Sequence, residues 1–145
     1  MNLLSKQAAL CTTKEEAARE ILFRGKRESD GRWLYGLYSS DYVYETDFPC
    51  IMPLRTEICG DDWSIIPRTV GQYIGQADKN GEKIFEWDVV YNDEFDDYGV
   101  VLYAYDRAKF VIEFSTFKVD FDGFRSKEFE IVGNIYDNPE LLEDK

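Results

Sequence analysis

Asp78, Asn80 and Glu82 surround Gly81 in the stretch TVGQYIGQADKNGEKIFEWDVV, residues 69–90, and they place oxygen atoms on alternate positions, as a hard cation would require. A calcium loop of the EF-hand kind carries glycine at its sixth position and an acidic residue at its twelfth, between two helices. Here the glycine comes fourth and both flanks have strand composition. Asn80-Gly81 is explained more simply as a tight bend, because both residues tolerate the positive φ of hairpin turns.

A second oxygen-rich cluster, Asp93, Glu94, Asp96 and Asp97 in NDEFDDYG, could hold magnesium if a fold converged it. The simpler expectation is an acidic loop whose like charges stay solvated. Asp120 and Asp122 share one face of a strand and could act as paired carboxylates. Their alternation with Phe117, Val119 and Phe121 already follows from a strand with one wet face. The chain has no histidine, so it lacks the commonest general base near neutral pH and any Ser–His or Cys–His nucleophile. Gly71 and Gly75 are not followed by the Gly-Lys-Ser/Thr ending of a phosphate-binding loop. The expectation is therefore a protein that is not an enzyme, with no cofactor and no metal site.

Arg24, Lys26, Arg27 and Arg32 lie beside Trp33, Tyr35 and Tyr38, a mixture that could form a nucleic-acid face. The overall charge opposes that use. Acidic residues outnumber basic ones 29 to 17 for a net −12, which repels phosphate backbones and anionic membranes. From Asp88 to Lys145 there are 15 acidic and 6 basic residues, so −9 of the charge lies there. Two candidate interaction surfaces follow, an acidic one at Asp93, Glu94, Asp96 and Asp97 and a basic one at Arg24, Lys26 and Arg27. Such polarity suits head-to-tail self-association or a local anion contact.

The elements that must position these residues are mostly strands. At 145 residues, 44% hydrophobic and 16% aromatic, the chain can bury a core. Thr13 and Glu16 form a capping box that predicts a short N-terminal helix. Ser29-Asp30-Gly31 predicts a turn between strands at residues 21–24 and 32–38, and residues 42–66, with Pro49 and Pro53, read as irregular with short edge strands. KIFEWDVVY reads as the strand returning from Asn80-Gly81. YGVVLYAY and KFVIEFS predict a second hairpin around Asp106-Arg107-Ala108, and FEIVGNIY a last strand. Asn138 and Pro139 suit the cap and first position of a helical turn.

The predicted fold is mostly β, small antiparallel barrel units with a short N-terminal helix. The expected divisions are an extension at 1–18, an N-terminal β unit at 19–75 and a C-terminal barrel unit at 76–145; the two β units can share one compact domain. Cys11, Cys50 and Cys59 form no CxxC pair and leave an odd thiol, which fits a reducing cytoplasm. Cys50 and Cys59 are expected as buried small apolar groups. Lys6 and Gln7 interrupt the opening apolar run, which argues against an export signal, and no segment is apolar enough to span a bilayer.

ILFRGKR, GRWLYG, TVGQYIGQADKNGEKIFEWDVV, GVVLY and FEIVGNIYDNPELL, in that order and spacing, resemble the YopX family of phage and prophage proteins. The resemblance covers most of the chain after Arg19 and implies a mostly β protein with SH3-like barrel units, encoded by a phage or prophage. It brings no catalytic residues. Two departures stand out: the segment before Arg19 reads as an extension, and Trp87 stands where the family usually has glycine, which puts the local turn geometry in question.

Three functions are compatible with these residues. The first is a phage accessory protein that binds a protein partner or assembles with itself. The second is an acidic mimic of DNA that occupies the basic groove of a host protein. The third and weakest is a metal-dependent hydrolase built on the acidic loops.

Overall fold

The computed structural model describes residues 19–39, 49–53, 63–121 and 125–143. Ten strands follow in order: β1 (Phe23–Lys26), β2 (Trp33–Ser39), β3 (Cys50–Pro53), β4 (Gly71–Ala77), β5 (Lys83–Phe85), β6 (Asp88–Asn92), β7 (Asp97–Ala104), β8 (Lys109–Glu113), β9 (Lys118–Asp120) and β10 (Phe129–Asn134). They form two five-stranded antiparallel sheets, ordered β3-β2-β1-β4-β5 and β10-β6-β7-β8-β9.

The turn chemistry acts as its residues dictate. Gly31 takes φ +73° at the end of the β1–β2 turn, where its N–H donates to Arg27 O at 2.9 Å. Between β4 and β5, Asp78 is 4% exposed and its carboxylate organises the bend. One oxygen accepts the N–H groups of Asn80 and Glu82, both at 2.9 Å, and the other accepts Ile131 N–H of β10 at 3.0 Å. These three acceptances make Asp78 a tie both within the bend and to β10. Both Asp78 oxygens are engaged by backbone N–H groups, as a bend requires.

The strand expected over KIFEWDVVY divides in two. After Phe85 the chain turns at Glu86-Trp87, with Trp87 at φ +73°, and Asp88 opens β6 in the other sheet. An unbroken strand would keep alternate residues on one face throughout; the left-handed residue instead redirects the chain from one sheet to the next.

The second sheet carries a core of Ile84, Val90, Val101, Ile112, Phe114, Val119 and Phe129, with Ile74 of β4 packed against it. Burying such side chains stabilises by about 1.5–3 kcal/mol each. Gly99 of β7 lies directly under this core: a Cβ there would sit 2.4 Å from Ile112 Cγ2. The first sheet centres on Leu34, Ile51 and Ile65, bordered by Phe23, Tyr38 and Val70. The β4–β5 hairpin serves both regions, hydrogen bonded to β1 while Ile74 and Ile84 reach the second core.

The expected barrel, N-terminal helix and Asn138 cap need correction or placement. Neither sheet closes into a barrel among the described residues. β10 pairs with β6 alone and β9, three residues long, with β8 alone, so no ladder joins the edges. The expected N-terminal helix lies outside the described residues; within the described residues, helical structure is confined to 3-10 turns at Pro67–Thr69, Arg125–Glu128 and Pro139–Leu142. Asn138 makes no side-chain cap for the last of these; its Oδ1 accepts Asn134 N–H at 3.2 Å, over Gly133. The expected boundary after residue 75 falls within β4.

Candidate functional site

The residues of the basic cluster take separate partners on folding, although Arg24 and Lys26 flank the same Trp33 ring. Arg24 faces away from the first core, toward the junction with the second sheet. It is 6% exposed, and its guanidinium donates to Asp88 Oδ1 at 2.7 Å and more weakly to Glu86 O at 3.3 Å. The same guanidinium lies 4.6 Å from the Trp33 ring centroid and 4.9 Å from that of Phe85, which adds cation–π attraction on both flanks. Its Nε has no hydrogen-bond partner among the described residues. Asp88 also accepts Phe85 N–H at 2.8 Å, so one carboxylate fixes the β5–β6 link and clamps the sheets together.

Lys26 pairs with Asp137, which also accepts Trp33 Nε1–H at 2.7 Å and an Asn134 amide hydrogen at 3.0 Å. Arg27 pairs with Asp30 within its own turn. The three cations therefore bind three carboxylates: Asp88, Asp137 and Asp30. Asp88 and Asp137 escaped sequence reasoning because they follow Arg24 and Lys26 by more than sixty and a hundred residues.

Electrostatics follow these contacts. Burial raises the Asp88 carboxyl above its ordinary range, against the pull of Arg24 and of Phe85 N–H. Burial likewise raises Glu86, opposed by the N–H of Gln72. Partial burial acts upward on Asp137 too, but hydrogen bonds from Lys26, Trp33 and Asn134 outweigh it and hold the group at about 2. The Arg27 side chain and Arg32 N–H keep Asp30 far below the usual carboxylate range. Cys50 is buried and unpaired, and burial raises its thiol; Cys11 and Cys59 lie outside the described residues.

The acidic residues occupy the turn between β6 and β7. Asp93, Glu94 and Asp96 are exposed. Lys79 Nζ stands 4.0 Å from Asp93, whose side chain is 82% exposed. The turn is shaped from within: Asn92 Oδ1 accepts Phe95 N–H at 3.0 Å, Tyr91 donates its hydroxyl to Asp96 at 2.6 Å, and Asp97 accepts Ser115 Oγ–H at 2.9 Å. Its bond to Asp96 pushes the Tyr91 hydroxyl up to about 12. No group of three or more potential ligands converges into a metal site among the described residues. Asp120 binds Arg107 and Lys109, whereas Asp122 lies outside the described residues.

Beyond the junction, β2 presents Tyr35 and Leu37 outward, 46% and 53% exposed. Tyr35 packs edge-on to Phe85 at 5.5 Å, and Tyr73 meets Phe85 at 5.8 Å. The Arg24 junction thus underlies an aromatic platform with Leu37 at its border. Among the described residues no helix is long and apolar enough to cross a membrane.

The fold is similar to that in the crystal structure of protein EF1440 from Enterococcus faecalis. That match has a TM-score of 0.54 and 22% identity, and covers 87% of this chain and 100% of the other; the likeness is one of fold alone. No curated protein matches the chain. All but the first residue of the motifs, from Leu22 through the hairpin at Asn80-Gly81 to the final strand, falls within residues 22–143, which match the YopX protein family model, and the chain belongs to the YopX family.

Proposed function

We propose that this is a non-enzymatic accessory protein, encoded by a phage or prophage and working in the host cytoplasm by binding a protein partner or a second copy of itself. The observation that carries this reading is the outer face of β2, where Tyr35 and Leu37 stand exposed over a platform fixed from beneath by Arg24 and Asp88. Rigid aromatic and aliphatic anchors lose little conformational entropy when a partner covers them. The free, buried thiol of Cys50 supports a reducing compartment. The way Ile74 and Ile84 lie over the second core supports kinship with small SH3-like barrels.

The test is light scattering after gel filtration, with pull-down from host lysate, on the native chain and on Leu37→Glu. A dimer or a specifically retained protein, lost on Leu37→Glu, is expected. A strict monomer that retains nothing would overturn the reading.

A second reading, the acidic decoy, is favoured by the turn at Asp93, Glu94 and Asp96, which is both exposed and stiffened by its own hydrogen bonds. Neutralising Asp93, Glu94, Asp96 and Asp97 together should weaken binding to a basic protein most at low salt. An interaction unchanged across salt concentrations removes this reading.

A further inference from the structure

We propose that a cleft of about 480 Å³, lying between β4 and the β7–β8 hairpin, binds a free mononucleotide. This site is separate from the β2 face and from the acidic turn. Its volume lies within the range of small-ligand sites.

The lining has the three kinds of group such a ligand needs. Arg19 and Lys109 supply cations, and no carboxylate belongs to the lining. On a chain with 29 acidic and 17 basic residues, that is a local reversal of sign. Asp120 does stand at the rim, 2.7 Å from Lys109 Nζ and 3.1 Å from the Arg107 guanidinium, so one carboxylate faces two cations there. Arg19 is exposed, and its planar guanidinium is the group suited to a phosphate.

Flat apolar surface comes from Tyr103, Phe110 and Phe121. Tyr103 and Phe110 are a cross-strand pair with ring centroids 5.3 Å apart, so this wall is set by the β7–β8 register. A nucleobase gains by packing on such rings whatever its identity. Gln72 and Gln76, on the same face of β4, supply amides that can both donate and accept along a base edge. Gln76 Oε1 accepts Ser126 Oγ–H at 3.3 Å, which orients its amide nitrogen away from that contact. A single phosphate can enter this cationic notch, whereas a polymer would have to lay further phosphates over a surface of net negative charge.

Isothermal titration of the full chain with each of the four ribonucleoside monophosphates tests the proposal, with inorganic phosphate, the matching nucleosides and a short single-stranded oligonucleotide as the other arms. Saturable one-site binding of at least one monophosphate is expected, at least tenfold tighter than either its nucleoside or phosphate. Arg19→Ala should weaken it by about tenfold, the typical loss of a charge-assisted contact. Gln72→Leu should change the preference among bases, and both variants should keep the native melting temperature. The proposal is overturned by no binding at millimolar nucleotide, by phosphate or nucleoside binding as tightly as the nucleotide, by tighter binding of the oligonucleotide, or by an Arg19→Ala variant that folds and binds unchanged. These outcomes leave the protein-partner reading unaffected, since that is tested at Leu37.

Discussion

The two sheets hold together by different means. Among the described residues the second core gathers seven apolar side chains in one cluster, six from or beside the second sheet and Ile84 from β5, and the second sheet's ladders run from β10 through β9 with a single register shift, between Ile131 and Gly133. The first buries three, and its remaining ties reach outward to the second: Arg24 to Asp88, Lys26 and Trp33 to Asp137, and Arg68 O to the Tyr136 hydroxyl. Apolar packing dominates the second region, with Ile74 and Ile84 of the β4–β5 hairpin completing its core, whereas β1 and β2 lean on polar contacts whose partners lie elsewhere. Apolar burial adds up over area without demanding a particular partner, but a buried ion pair loses its value once either member leaves.

Breaking the Arg24–Asp88 pair gives the largest expected effect. Arg24→Ala should cost about 3–5 kcal/mol, because it leaves an uncompensated carboxylate at the junction. Replacing both members by leucine should recover only part of that loss: the Trp33 and Phe85 flanks form an apolar slot, but Phe85 N–H loses its buried acceptor. Native-state hydrogen exchange adds the direction: in Arg24→Ala, amides of β1 and β2 should lose protection while those of β7 and β8 keep it. Equal loss in both sheets would show one cooperative unit and dissolve the distinction between them.

Trp87, at the crossing from one sheet to the other, gives a smaller and sharper test. Its left-handed backbone at φ +73° is costly for any residue with a Cβ. Its contacts offset that cost: the indole N–H donates to Val70 O at 2.9 Å, and its own backbone exchanges bonds with Val101 O and Ile135 N–H. Trp87→Ala and Trp87→Gly lose the same indole, but only alanine retains the strained φ. The glycine variant should therefore be more stable than the alanine variant by about 1 kcal/mol in urea denaturation. Equal stability would mean that the chain relaxes to another path between the sheets.

This position also marks where the sequence stops being legible. Turns written in local chemistry were readable: Asp30-Gly31, Asn80-Gly81 and the bend at Arg107-Ala108 each join paired strands in the structure. So was the second core, through the density of branched and aromatic residues in β7 and β8. The break at Glu86-Trp87 was not, because tryptophan has good strand propensity and no local signal announces a positive φ; only the glycine usual in the family hinted at it. The site suffered more. Arg24 and Asp88 are far apart in sequence, and each alone reads as an ordinary charged residue near a strand. The cleft draws on Arg19 ahead of β1, on β4, on the β7–β8 hairpin and on Phe121 just past β9, and no spacing rule joins those pieces. Periodicity reports which face a residue takes, while the identity of its partner across two sheets is set by tertiary geometry.

The smallest expected effect lies in the pH dependence of the second tie between the regions. Asp137 has a folded-state value of about 2 against an ordinary 3.8, so folding favours its ionised form. Its contribution is fully present above the ordinary value and fades as pH falls through 3.8 toward about 2. Asp88 and Glu86 behave in the opposite sense: burial raises both, so their ionisation opposes folding above their folded values, and protonation relieves that cost as pH falls. Acid unfolding of the native chain mixes the two trends, and Asp137→Asn removes one of them. The Asp137 side chain is 37% exposed and screened by solvent, so the variant should lose only about 0.2–1 kcal/mol near neutral pH. Urea denaturation of both proteins from neutral pH downward should show that gap holding steady and then closing through the acid window. A gap that persists unchanged below it would assign Asp137 to shape rather than to charge, and would leave the buried Arg24–Asp88 pair as the main electrostatic tie between β1 and the second sheet.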